Sequence, residues 1–149
     1  MKKVCENALK TEFPSLSRNE SLARGIVSAF VMQANPTVSE LADIKCAVSE
    51  AVTNCTVHAY KDKVGTISMS VKLYNDRSVR IEIKDRGCGI EDIAKAMEPL
   101  YTTDRENERS GLGFTVMESF CDKLRVASKP GKGTKVTLIK ALSPICSAT

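Results

Sequence analysis

Glu50 and Asn54 stand four residues apart in Ser49-Glu50-Ala51-Val52-Thr53-Asn54, a spacing that on a helix stacks two side chains on one face. A carboxylate there can accept a proton or orient water, and an amide oxygen offers Mg²⁺ a neutral, hard ligand. Alone, the pair is also the pattern of a solvated helix face. Asp85-Arg86-Gly87-Cys88-Gly89-Ile90 follows a strand-like segment. An Asp at a strand end can accept hydrogen bonds from an exocyclic amine, and two glycines let the backbone turn sharply and approach a planar ligand. A plain turn leaving a sheet reads the same way. Farther on, Pro99-Leu100-Tyr101-Thr102-Thr103 and Arg109-Ser110-Gly111-Leu112-Gly113-Phe114 flank the polar run Asp104-Arg105-Glu106-Asn107-Glu108, which cannot add to a core and reads as a lid. Gly111 and Gly113 would open a helix from Phe114 to about Phe120, whose free N–H groups and dipole favour an anion such as phosphate. Gly131-Lys132-Gly133-Thr134 is, by itself, simply a tight hairpin turn.

The elements around these segments follow from periodicity and caps. A first strand is expected around Val4 to Thr11. Ser17-Arg18-Asn19-Glu20 has capping-box spacing before a helix to about Ala34, and Asn35-Pro36 ends it. Thr37-Val38-Ser39-Glu40 offers a second box before a helix running to about Lys61, with Leu41, Ile44, Val48, Ala51, Val52 and Cys55 as its apolar stripe. Ile67, Met69, Val71 and Leu73 alternate with polar residues, as do Val79, Ile81 and Ile83 after the Asn75-Asp76 turn, so an antiparallel hairpin presents one apolar face. Leu124 to Ser128 and Thr134 to Lys140 read as a second hairpin. The expected fold is α+β, a two-layer sandwich with helices on one face of a mixed, mainly antiparallel sheet, in a single domain over 1–149.

Composition narrows the chemistry. The 149 residues, 42% apolar and 27% charged, suit one soluble domain. A single histidine, His58, leaves no HExxH site, and six cysteines without a CxxC make a zinc site improbable. His58 reads as local structure or pocket edge. A net charge of +4 with basic and acidic residues interspersed is not a nucleic-acid footprint, and no apolar run reaches the roughly 18–20 residues that span a bilayer. The charged start, MKKVCENALKTE, does not read as a signal peptide. A cytoplasmic protein with free thiols is expected, with neither membrane nor nucleic acid as a partner.

There is no GxxxxGK[ST], no complete GxGxxG and no kinase catalytic-loop or DFG pattern. The ordered set Glu50/Asn54, Asp85/Gly87/Gly89, Gly111/Gly113 and Gly133/Thr134 instead resembles the Bergerat-type ATP-binding domain shared by gyrase B, Hsp90, histidine kinases and MutL. The resemblance extends to the small bacterial anti-sigma serine kinases, particularly their sporulation branch. It rests on Asn19-Glu20-Ser21-Leu22-Ala23-Arg24, Ser49 to Asn54 with His58, Pro99 to Thr103, and Glu108 to Phe114, and it covers nearly the whole chain. At 149 residues, the chain is expected to carry the ATP-binding domain alone, without the phosphoacceptor helix of a histidine kinase or the transducer domains of gyrase B and Hsp90.

The resemblance implies ATP/ADP and Mg²⁺ as cofactors. It makes Glu50 the base that takes a proton from a serine hydroxyl, Asn54 the Mg²⁺ ligand, and Asp85 the reader of the adenine amine. Gly87 and Gly89 would shape the base wall and Thr134 would line it. Gly111 and Gly113 would present N–H groups to phosphates, with Thr103 also at the nucleotide and Arg109 reaching the γ-phosphate. Arg24 would meet protein partners: a sigma factor, sigma F in the sporulation branch, and an anti-anti-sigma antagonist carrying the substrate serine. Members of the family are commonly homodimers. Arg86 stands where relatives often carry an acid, and Ala59 replaces a glycine; neither change removes a catalytic group. A general-stress-type anti-sigma kinase shares the same ATP motifs, and a non-catalytic nucleotide-binding anti-sigma module is the alternative of another class. A sensor-free histidine kinase fragment is a third reading.

Overall fold

The computed structural model describes residues 2–97 and 113–145. In chain order its elements are β1 (Cys5–Pro14), α1 (Asn19–Val31), α2 (Val38–Thr53), β2 (Thr66–Tyr74), β3 (Ser78–Asp85), α3 (Ile93–Ala96), α4 (Phe114–Phe120), β4 (Lys123–Lys129) and β5 (Gly133–Ala141). The strands form one sheet in the order β1-β2-β3-β5-β4. Every pairing among the described residues is antiparallel, so the mixed sheet expected from the sequence is, among those residues, a purely antiparallel one. After β3 the chain returns as the β4–β5 hairpin, which sets β5 against β3 with Asp85 opposite Thr134. That register brings two of the motif segments together.

Alternation decides which face is covered. Ile67, Met69, Val71 and Leu73 of β2 join Val79, Ile81 and Ile83 of β3 and Val136 and Leu138 of β5 in one apolar cluster. From the helix layer, Ala23 and Val27 of α1, Ile44, Val48 and Val52 of α2, and Phe114 and Met117 of α4 pack into it. Burial of each larger aliphatic side chain contributes about 1.5–3 kcal/mol. Between the buried β2 and β3 positions, Lys72, Arg80, Glu82 and Lys84 stay at least partly exposed. The result is the two-layer α+β sandwich expected from the pattern. The edge strand β1 runs farther than expected, to Pro14, because Phe13 is buried and pairs with Ile67.

The two capping boxes fare differently. At α2, Glu40 N–H donates to Thr37 Oγ1 (3.0 Å) and Thr37 N–H to Glu40 Oε1 (2.8 Å), a cap whose loss costs about 1 kcal/mol. At α1, Arg18 occupies the cap position without a side-chain cap, and Glu20 N–H donates only to the Ser17 carbonyl (3.2 Å). The Glu20 carboxylate turns instead to α2, accepting from Ser49 Oγ and Thr53 Oγ1, each at 3.1 Å. Nor does α2 continue as an α-helix to Lys61. It widens after Thr53 into a π-helical turn, Asn54–Ala59, where Thr56 Oγ1 donates to the Thr53 carbonyl (3.0 Å). Such widened turns are frequent at functional sites.

Candidate functional site

The end of α2, its π turn, the loop after β3, the start of α4 and the start of β5 converge on a cleft of about 230 Å³. Ala51, Ile90, Phe114 and Val136 supply apolar walls, while Asn54, His58, Asp85 and Thr134 bring polar groups to it. An apolar cleft with a few convergent polar groups is how a protein takes a small organic ligand.

Asp85 is the electrostatic centre. It ends β3 with only 5% of its surface exposed. Its Oδ1 accepts from the Gly87 N–H (2.9 Å) and the Thr134 N–H (3.2 Å), and its Oδ2 accepts from the Cys55 thiol (3.5 Å). Burial pushes the carboxyl above its usual range, against the pull of the Gly87, Cys55 and Thr134 donors. Burial also raises the Cys55 thiol, with the Asp85 charge adding to it, so Cys55 stays protonated and donates. A thiol is a weak donor, which leaves Oδ2 the side of the carboxylate with acceptor capacity for a ligand.

The loop after Asp85 is clamped on three sides. Cys88 N–H donates to the Ala59 carbonyl (2.9 Å), Gly131 N–H to the Cys88 carbonyl (2.6 Å) and Ile90 N–H to Ser128 Oγ (2.8 Å). Tyr60 Oη accepts from the Arg86 N–H (2.7 Å) while donating to the Thr66 carbonyl (2.7 Å). Gly87 is required by close approach, since a Cβ there would overlap the Ala59 backbone. Gly87 therefore seats the loop against the π turn and is not among the residues lining the cleft, whereas Gly89 is. The space a Cβ on Gly89 would occupy is filled by the Lys129 carbonyl, so this glycine serves protein packing and not only access for a ligand.

Of the Glu50/Asn54 pair, only Asn54 is among the residues that line the cleft, at the point where α2 becomes the π turn; Glu50 stands one turn earlier on α2, beside Gly113. Gly113 caps α4 in the left-handed region (φ 63°), and a Cβ on it would collide with the Glu50 carboxylate. The sequence-distant glycine and acid are thus in direct apposition at a helix start. Arg24 lies apart on α1, with Nη1 3.8 Å from Glu20 Oε1 and Nη2 donating to Ser21 Oγ (3.1 Å). Thr103, Arg109 and Gly111, with the lid segment, fall outside the described residues.

Cys55, Tyr60 and Ser128 were missed by sequence reasoning. Ser128 Oγ contacts Thr134 Oγ1 (2.8 Å) and the Gly133 carbonyl (2.9 Å), fixing the rim of the cleft. The one available signal was the pairing of the second hairpin, which sets Ser128 opposite Thr134. His58 lines the cleft edge, and its carbonyl accepts from the Cys88 thiol (3.3 Å).

Residues 13–140 match the family model described as a histidine kinase-like ATPase domain. The chain is 54% identical over 134 residues to the anti-sigma F factor of Caldanaerobacter subterraneus subsp. tengcongensis, covering 90% of this chain and 93% of that one. It is 49% identical over 142 residues to the anti-sigma F factor of Clostridium acetobutylicum, covering 95% and 99%. Among solved structures, the RsbU and RsbW domains of a Mycobacterium tuberculosis protein superpose with TM-score 0.68 at 21% identity, over 96% of this chain and 35% of that longer one. The catalytic domain of the histidine kinase ThkA superposes with TM-score 0.58 at 16% identity, over 90% and 96%. These two likenesses bear on the fold, which they share; the family follows from the sequence matches. The chain belongs to the anti-sigma F factor family, within the histidine kinase-like ATPase domains.

Proposed function

We propose that this chain is an ATP-dependent protein serine kinase that also sequesters a sigma factor, sigma F, and that its phosphoryl acceptor is a serine of an anti-anti-sigma antagonist. The observation that carries the reading is the buried Asp85 carboxylate on the wall of a largely apolar cleft, with two N–H groups on Oδ1 and the weaker Cys55 thiol on Oδ2. That arrangement suits an exocyclic amine on a flat heterocycle, here adenine, held between Ala51, Ile90, Phe114 and Val136. Thr134 lines the base end and Gly89 its wall, while Gly87 seats the loop that carries Gly89 against Ala59.

Phosphoryl transfer asks a protein mainly for positioning and charge neutralisation. The serine Oγ–Pγ bond forms as the bond from Pγ to the ADP oxygen breaks, and Glu50 takes the serine proton. Glu50 is suited to this by its place against Gly113, where the start of α4 presents N–H groups towards phosphate. Bound Mg²⁺ would neutralise phosphate charge. Such an ion is commonly held by one or two protein oxygens together with phosphates and water. Asn54 would be that protein oxygen. By family resemblance, Thr103, Arg109 and Gly111 complete the phosphate end, and Arg24 on α1 meets the sigma factor and the antagonist in turn. A lid arginine that finds a γ-phosphate only in the ATP state would bias which partner is held. The same reading makes the protein a cytoplasmic homodimer acting in sporulation as one domain over 1–149. Among the described residues no helix is long and apolar enough to cross a membrane.

The test is incubation with Mg-ATP and a cognate antagonist, alongside co-purification with sigma F. Wild type should form phosphoserine, and Glu50→Gln should hold sigma F without transferring phosphate. Undiminished transfer by Glu50→Gln would remove the base assignment. Retained sigma binding with no transfer by wild type would make the chain a nucleotide-regulated binding module.

A further inference from the structure

We propose that Glu20 is a positioning residue for phosphoryl transfer: its carboxylate clasps the turn of α2 that carries Glu50 and Asn54 and couples that turn to Arg24 on the outer side of α1. The inference rests on the transfer role proposed above for Glu50 and Asn54.

Both carboxylate oxygens are used on one neighbouring helix. Oε1 accepts from Ser49 Oγ and Oε2 from Thr53 Oγ1, at 3.1 Å each. Ser49 and Thr53 are one helical turn apart, and each immediately precedes one of the functional pair, Glu50 and Asn54. Holding two hydroxyls a turn apart fixes rotation and axial position together, where a single bond would leave the helix free to roll. A one-residue slip turns the α2 face by about 100°. The clasp sits where such control is needed, because regular α-helical bonding gives way to the π turn at Asn54. Glu50 is also close against the start of α4, where a Cβ on Gly113 would overlap its carboxylate.

Apolar packing of α1 on α2 is already supplied by Ala23, Val27, Val48 and Val52, so the polar clasp adds register to an interface that is closed without it. Arg24 shares the carboxylate, its Nη1 lying 3.8 Å from the same Oε1 that receives Ser49. An acidic group on a partner that draws Arg24 outward leaves Oε1 to Ser49 alone and tightens the hold on the catalytic turn. Partner contact on α1 is thereby linked to alignment of Glu50 and Asn54.

The experiment uses the full chain as wild type, Glu20→Ala, Glu20→Gln, the pair Ser49→Ala with Thr53→Val, and the triple combination. Single-turnover transfer at saturating Mg-ATP and antagonist should fall about tenfold or more in Glu20→Ala, the scale of a misplaced catalytic group. The hydroxyl pair should lose as much, and the triple variant no more than either. Glu20→Gln should recover most of the rate, since its amide can accept from one hydroxyl and donate to the other. ADP affinity in EDTA, governed at the Asp85 end, should stay within about twofold, because a distant clasp does not touch the base. An unchanged rate in Glu20→Ala, additive losses in the triple variant, or a parallel fall in ADP affinity overturns the proposal. Should wild type itself transfer no phosphate, the kinase reading fails separately. The clasp is then judged by the gain in ADP affinity that Mg²⁺ gives: loss of that gain in Glu20→Ala with return in Glu20→Gln supports it, and any other pattern overturns it.

Discussion

Asp85→Asn separates recognition of the ligand from stability of the fold. Of the two ways to place the new amide, the one with its NH₂ at the Oδ1 position would face two donors, the Gly87 and Thr134 N–H groups. The carbonyl oxygen therefore keeps those bonds, and the NH₂ takes the place of Oδ2 beside Cys55 and the cleft. A ligand amine that met a charged acceptor now meets a donor. Loss of a hydrogen bond to a charged group is worth about 1.5–3 kcal/mol, so ATP affinity should fall roughly 10- to 150-fold. Folding should be little harmed, because Asp85 is 5% exposed and a neutral amide removes the cost of burying its charge. Calorimetric titration of ATP and ADP, paired with urea denaturation of the same samples, reads both quantities. Inosine triphosphate, with a carbonyl in place of the amine, should bind wild type poorly and lose its disadvantage in Asp85→Asn. Refutation would be ATP affinity within twofold of wild type in folded Asp85→Asn, or an equal penalty against inosine in both proteins.

Gly113→Ala places a methyl on the Glu50 carboxylate at a residue with φ 63°; it should lower stability by about 1–2 kcal/mol and cut phosphate transfer more than ADP affinity, as chemical denaturation and single-turnover kinetics would report. The folded-state carboxyl of Asp85 titrates above its ordinary value, so folding binds its proton more tightly and its contribution to stability is present below the unfolded pKa and lost as pH rises through the folded one. Subtracting the unfolding free energies of Asp85→Asn from those of wild type across weakly acidic pH should show that decline, and a flat difference would contradict the burial argument. Cys88 is exposed and lines the cleft, so ATP should slow its alkylation while exposed Cys5 and Cys46 react as before and buried Cys55 stays unreactive, measured by mass spectrometry of the labelled peptides.

The elements legible in the sequence were those decided by local pattern. Alternation in β2 and β3 fixed which residues face the helices, and the Thr37–Glu40 box marked the start of α2, because each depends on residues within one turn or one strand. The box at Ser17–Glu20 had the same spacing and did not form. Glu20 finds two hydroxyl donors 29 and 33 residues away, and no local rule weighs such partners against a backbone N–H. The change from α to π geometry after Thr53 was likewise hidden, since the apolar stripe through Cys55 reads as a continuing helix. At the site, the order of Glu50, Asn54, Asp85, Gly113 and Thr134 carried the reading by resemblance, and the cleft brings Asn54, Asp85 and Thr134 to its walls. What holds the loop in place, Tyr60 on Arg86 and Ser128 on Ile90, bridges 26 and 38 residues and leaves no motif.

The central claim is that this cleft turns over ATP to phosphorylate a serine. It is tested most directly by following γ-phosphate label from Mg-ATP in a mixture of the full chain and its antagonist, then treating the products with acid. Acid-stable label should appear on a single serine of the antagonist, with none retained on the chain. Acid-labile label on the chain itself, or no label on the antagonist while ATP is bound, would contradict it.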